Sequence, residues 1–171
     1  MERECGPLDP TFVRIITAEL VNALLHLKKH EVVHRDIKPE NVLLSARGRA
    51  VLADFGVAID LSSTEDGRAR GACGTPGYMA PEVMLRLPYS YEVDMFSMGC
   101  TLYHLLVGYS PFEATDYDEC ARLTFEGKIK YPEVKGMCFY TKHFLSSTME
   151  NSQTKRLAIE DAKDTAYLEG M

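Results

Sequence analysis

Eight consecutive residues, His34-Arg35-Asp36-Ile37-Lys38-Pro39-Glu40-Asn41, constrain this chain more than any other stretch. They are followed by Asp54-Phe55-Gly56 and then by Ala80-Pro81-Glu82, in that order. Between the first two motifs, Val42-Leu43-Leu44 and Val51-Leu52-Ala53 read as short strands, and Ala46-Arg47-Gly48-Arg49 as the turn joining them. The two motifs therefore flank a small hairpin. That arrangement predicts that Asp36, Asn41 and Asp54 meet at one edge, although the last lies thirteen or more positions from the others.

The rest of the chain reads as mainly helical. Asp9 can cap a helix that opens with Pro10, whose missing N–H costs nothing at the first helical position. Ile16, Leu20, Leu24 and Leu27 then recur at helical spacing and define a buried face. Val32-Val33 can form no more than a strand fragment. Residues 57–79 hold Ser62, Ser63, Thr64 and several glycines, a loop composition whose length points to function or motion. A helix from about Glu92 to Val107 is apolar nearly all round, which predicts a central, buried position, and Gly108 ends it. A capping-box pattern at Thr115-Asp116-Tyr117-Asp118 opens another helix. Segments near Lys142–Met149 and Ile159–Leu168 are expected to be helical as well.

The bulk properties exclude several classes. The 171 residues suffice for one domain with a core. A net charge of −6 argues against general nucleic-acid binding or adhesion to anionic membranes. No apolar run is long enough for membrane insertion, and no signal peptide is visible. The five cysteines are odd in number and scattered, as expected of reduced thiols in a cytoplasmic, intracellular protein. His26 and His30 have the spacing of a metal-binding pair but lack a third ligand, and they suit the negative pole of a helix end better.

Taken together, the three motifs resemble those of the eukaryotic protein kinases, serine/threonine type, and they stand in that family's order. The resemblance covers nearly the whole chain. It implies a protein-kinase-like fold of mainly α (α+β) character: a C-terminal helical lobe with a small β hairpin. No counterpart of the family's N-terminal lobe precedes Met1. On this reading residues 1–171 are one partial kinase domain, with a catalytic loop at 34–41 and an activation segment at 54–82. The implied reaction transfers the γ-phosphate of ATP to a Ser or Thr hydroxyl of a protein substrate, with Mg²⁺.

The resemblance also implies roles. Asp36 matches the catalytic aspartate, Lys38 the lysine that touches the γ-phosphate, and Thr75 the threonine bonded to both. Asn41 and Asp54 match the metal-binding pair; an oxygen-only ligand set suits a hard cation such as Mg²⁺. Leu43 matches the residue beneath the adenine, with Val42 and Leu44 behind it. Glu40 stands on the nucleotide side of the loop and matches an acidic residue that holds a substrate arginine in basophilic relatives. His34 and Phe55 match members of a regulatory spine, and Gly56 closes the Asp-Phe-Gly turn. Glu82 is expected to pair with Arg156, and Asp94 to hold the backbone of the His34-Arg35-Asp36 turn.

Departures from the family pattern are informative. Phe96 stands where most relatives have tryptophan. Gly77 and His104 occupy two acidic positions of strong basophiles, so no pronounced arginine requirement is expected. Val57 implies a preference for threonine acceptors. The run from Arg68 to Glu82 leans towards the G-protein-coupled receptor kinases, within the AGC group. Gly71 replaces the phosphorylated threonine of many loop-activated relatives, while Arg35, its phosphate receptor, is kept. The 171-residue chain alone is expected to bind ATP weakly and to have little activity. The alternative is a non-catalytic, kinase-derived docking or scaffold module, but the retention of Asp36, Lys38, Asn41 and Asp54 favours catalysis.

An enzyme built this way should not depend on phosphorylation of its loop. Mass spectrometry of the unsubstituted, active enzyme is expected to show no loop phosphate, and the Ser62→Ala/Ser63→Ala/Thr64→Ala protein is expected to keep its activity. A large loss of activity would contradict this.

Overall fold

The computed structural model describes residues 7–170. Helix α1 spans Pro10–Lys29, and the Asp9 carboxylate accepts a hydrogen bond from the Thr11 N–H at 2.8 Å as its N-cap. Its buried face is Val13, Ile16, Leu20, Val21 and Leu24, whereas Leu27 is only partly covered. Each such aliphatic side chain, fully buried, contributes roughly 1.5–3 kcal/mol before entropy is counted.

Four short strands follow. Strand β1 (Val32–Val33) pairs antiparallel with β4 (Ile59–Asp60), and β2 (Val42–Leu44) with β3 (Ala50–Leu52). A 3₁₀ turn, Pro39–Asn41, leads directly into β2. The expected hairpin is present, its second strand one residue earlier than its letters suggested. The segment expected to be wholly loop, 57–79, is partly structured. It holds β4, a 3₁₀ turn at Leu61–Ser63 capped by Asp60, and a bridge from Ala69 to Tyr89.

The remaining helices are α2 (Pro81–Met84), α3 (Glu92–Val107), α4 (Tyr117–Glu126) and α5 (Phe139–Thr148). Helix α3 is the central rod. Residues Val93 to Tyr103 are all buried, and the helix packs against α1 and α5. Gly108 ends it in the left-handed region, at φ 95°. In α4, Asp116 is the N-cap and accepts from the Glu119 N–H at 2.9 Å. Helix α5 begins three residues before the expected start, with Phe139 and Tyr140 exposed in its first turn and Thr141, Phe144, Leu145 and Thr148 forming its buried face; Cys138 makes no side-chain cap bond. The expected helix over Ile159–Leu168 is only a 3₁₀ turn, Glu160–Asp164. The Thr165 hydroxyl donates to the Ala162 carbonyl at 2.7 Å, offering the backbone a local alternative to helix. Among the described residues no helix is long and apolar enough to cross a membrane.

Contact between α3 and α5 depends on Gly99. A Cβ there would overlap the Thr148 hydroxyl and lie 2.7 Å from Met149 Cγ. Gly99→Ala is therefore expected to destabilise the fold by about 1–3 kcal/mol, the usual cost of overpacking, read as a lower urea midpoint. An unchanged midpoint would show that the two helices do not pack this closely.

Candidate active site

The site is assembled from the inside outward. Near the N-terminal end of α3, Asp94 is 2 % exposed. Its two carboxylate oxygens accept from the backbone N–H groups of His34 (2.8 Å) and Arg35 (2.9 Å). Burial pushes the Asp94 carboxyl up from its ordinary value, while those two donors pull it down. Arg35 has φ 70°, a left-handed conformation rare for a residue with a Cβ. The carboxylate thus grips a strained turn. Deeper still, the Thr101 hydroxyl lies 2.8 Å from the Ser97 carbonyl and 3.2 Å from the Ile37 carbonyl, and shares its one proton between them.

His34 is fully buried and works as a crosspiece. The Asp36 N–H donates to its Nδ1 at 3.3 Å, so its Nε2 carries the proton that reaches the Ala53 carbonyl at 3.0 Å. Its ring meets that of Phe55 edge-on, with centroids 4.8 Å apart. The backbone also ties the two motifs together: the Ala53 N–H donates to the Asn41 carbonyl at 2.9 Å. Asp54 is the next residue, at φ 60°. Its Oδ1 accepts from the Gly56 N–H at 3.1 Å, and a Cβ on Gly56 would crowd that same oxygen.

On the outer rim, Asp36 collects donors. Its Oδ1 accepts from the Thr75 hydroxyl at 2.7 Å, and its Oδ2 lies 3.2 Å from both Lys38 Nζ and Asn41 Nδ2. Lys38 Nζ also donates to Thr75 Oγ1 at 2.9 Å. Asn41 Nδ2 donates to the Asp36 carbonyl at 2.8 Å as well. Both amide protons of Asn41 therefore point inward, which turns its carbonyl oxygen the other way. Asp36, Lys38, Asn41 and Thr75 form one bonded group, and Asp54 follows Ala53, whose N–H bonds the Asn41 carbonyl.

Glu40 shares the 3₁₀ turn of Asn41 and is exposed. Leu43 is 53 % exposed and Phe55 48 % exposed, on the open face above the hairpin. Val42 packs on the core, but Leu44 is half exposed and does not pack behind Leu43.

A second brace lies beneath. Arg156 bonds Glu82 through both terminal nitrogens, at 2.6 and 3.0 Å, and both residues are at most 5 % exposed. The guanidinium also donates to the carbonyls of Glu150 and Glu92 and lies 5.0 Å from the centroid of Phe96. The smaller aromatic at position 96 is thus packed under a cation.

Three residues of this region had escaped the reading of the sequence. Tyr89 hydrogen-bonds Arg35, Ser97 donates to the Tyr78 carbonyl at 2.8 Å, and Thr101 supports Ile37. None lies in a motif; only burial of a polar group in an apolar helix could have marked Ser97 and Thr101. His26 and His30 serve the end of α1, where His30 Nδ1 lies 2.8 Å from the His26 carbonyl. Among the described residues no three His, Cys, Asp or Glu side chains cluster as a metal site. A pair of protein oxygens completed by phosphate and water is nevertheless the usual way to hold Mg²⁺. Asn41 and Asp54 fit that pattern.

The sequence matches the protein kinase domain family over residues 1–168. Serine/threonine-protein kinase 36 of Pongo abelii is 36% identical over 165 residues, covering 96% of this chain and 12% of that protein. Rhodopsin kinase GRK1 of Rattus norvegicus is 35% identical over 149 residues (85% and 26%). Serine/threonine-protein kinase Sgk1 of the same species is 35% identical over 162 residues (94% and 36%). The chain belongs to the protein kinase family, and its relatives are serine/threonine kinases that include AGC members. It spans between 12% and 36% of the length of these three relatives.

Replacing Asp94 by asparagine keeps the shape but leaves only one accepting oxygen for two N–H donors. Asp94→Asn is expected to cost about 1–3 kcal/mol, the penalty for a stranded buried donor, measured by urea unfolding. Wild-type stability in this variant would contradict the hold described here.

Proposed function

We propose that this chain carries the phosphoryl-transfer half of a serine/threonine protein kinase, with catalytic loop 34–41 and activation segment 54–82. The observation that carries the reading is the bonded group Asp36–Thr75–Lys38–Asn41, with the backbone bond from Ala53 to Asn41 supporting a place for Asp54 next to it. Phosphoryl transfer is mostly positioning and charge stabilisation, and this rim supplies both.

Asp36, fixed by three donors, aims an oxygen at the acceptor hydroxyl of a protein substrate and takes its proton as the new O–P bond forms and the bond from the γ-phosphorus to the bridging oxygen breaks, that oxygen leaving with ADP. Lys38 faces the phosphoryl group from the same side, and its bond to Thr75 keeps it there. Asn41 and Asp54 would hold Mg²⁺, which neutralises phosphate charge when bound to ATP. Leu43 offers an apolar floor to the adenine. His34, Arg35, Phe55, Gly56, Glu82, Asp94 and Arg156 hold the frame. Glu40, exposed beside Asn41, faces the space next to the nucleotide and the incoming substrate. The exposure of Leu43 and Phe55 indicates that a second wall over the nucleotide is needed, so the 171-residue chain alone should bind ATP weakly. The four described cysteines are free thiols, which suits a reducing, intracellular compartment.

In the full-length protein carrying this chain, Asp36→Asn is expected to lower kcat by about 10²–10⁴-fold, the usual contribution of a general base. The KM for ATP should change little. Undiminished phosphate transfer to a protein substrate would refute the assignment.

A further inference from the structure

Arg35 is kept although Gly71 cannot carry the phosphate that such an arginine receives in loop-activated relatives. The structure shows what the guanidinium does instead. Its Nε donates to the Val57 carbonyl at 2.6 Å, and its Nη1 donates to the Tyr89 hydroxyl at 3.3 Å. Tyr89 is fully buried. Its own proton goes to the Gly71 carbonyl at 3.2 Å, and its oxygen lies 3.7 Å from Cys73 Sγ. With the arginine N–H and the thiol S–H donating and the carbonyl accepting, the phenol has all the partners a hydroxyl can use. Burial holds that phenol above the ordinary tyrosine pKa, so it stays protonated and able to donate.

The backbone strengthens the same link. Tyr89 exchanges two hydrogen bonds with Ala69, at 2.9 and 3.0 Å. Gly74, at φ 107°, comes so close to the turn that a Cβ there would lie 2.5 Å from the Arg35 carbonyl. The segment 69–75 is therefore pinned at Ala69, at Gly71 and at Gly74, and the middle pin is the Tyr89 hydroxyl. Thr75, at the end of this segment, is the residue bonded to Asp36 and Lys38.

We propose that Tyr89 is a positioning residue whose hydroxyl takes the place of an activating phosphate: it bridges Arg35 to the Gly71 carbonyl and so seats Thr75 against Asp36 without modification of the loop. The link to catalysis rests on the kinase reading above; the docking itself does not.

The experiment compares Tyr89→Phe with the wild type, using amide hydrogen exchange on the 171-residue chain. Loss of the hydroxyl, and with it its contacts to Arg35, Gly71 and Cys73, is expected to speed exchange at residues 71–75 about tenfold or more, with faster tryptic cleavage after Arg68 and Arg70. Exchange within α3 should stay at its wild-type rate. Unchanged exchange at 71–75 would overturn the proposal. An equal rise in α3 would also overturn it, because Tyr89 would then be a general core residue. In the full-length enzyme the same variant should lower kcat and leave the KM for ATP unchanged. Since the exchange measurement needs no phosphoryl transfer, a protein that proved non-catalytic would sink the kinase reading and leave the docking result intact.

Discussion

The grip of the Asp94 carboxylate on the His34 and Arg35 N–H groups is the interaction on which the rest depends. A carboxylate inside an apolar helix is tolerable only if its oxygens are satisfied. Here the donors come from a turn that no sheet or helix would otherwise stabilise, with Arg35 in a left-handed conformation. Each side solves the other's problem. Through that turn the position of α3 is transmitted to His34, then to Ala53 and Phe55, and to the carboxylate of Asp36 one residue on. The rim is therefore mounted on the most buried element of the molecule, although its own residues lie in loops and turns.

The Glu82–Arg156 pair plays a parallel part for the opposite wall. Removing one partner of a buried pair strands a charge and typically costs about 3–5 kcal/mol, whereas replacing both by apolar residues can be neutral. Its importance is thus one of placement rather than raw stability. Glu82 lies in the first turn of α2, just after the segment carrying Thr75, and Arg156 also reaches carbonyls at the start of α3 and just after α5. Both contacts touch α3, one through the Asp94 side chain and the other through the Glu92 carbonyl.

The sequence was most legible where one physical signal sufficed. The all-round apolar character of Glu92–Val107 and the glycine after it set the bounds of α3, and Asp9-Pro10 marked the start of α1. The candidate site was legible because its polar residues are crowded into short, ordered motifs, and the hairpin between two of them explained how Asp54 returns to Asn41. What remained hidden depends on long-range packing. Strand β4 is two residues long and exists only because β1 lies beside it. The final segment has helical spacing, yet Thr165 bonds locally and the chain turns away. Tyr89 carries no local sign that it meets Arg35, 54 residues earlier.

On the proposed kinase reading, Asp36, Asn41 and Asp54 form a single site for a metal-bound triphosphate. Paramagnetic broadening by Mn²⁺, standing in for Mg²⁺, tests it directly in the amide NMR spectrum of the 171-residue chain with ATP. The predicted result is selective loss of signals at residues 36–41 and 54–56, abolished by Asp54→Ala. Broadening spread over the acidic surface, or centred away from the hairpin and unaffected by that substitution, would contradict the account.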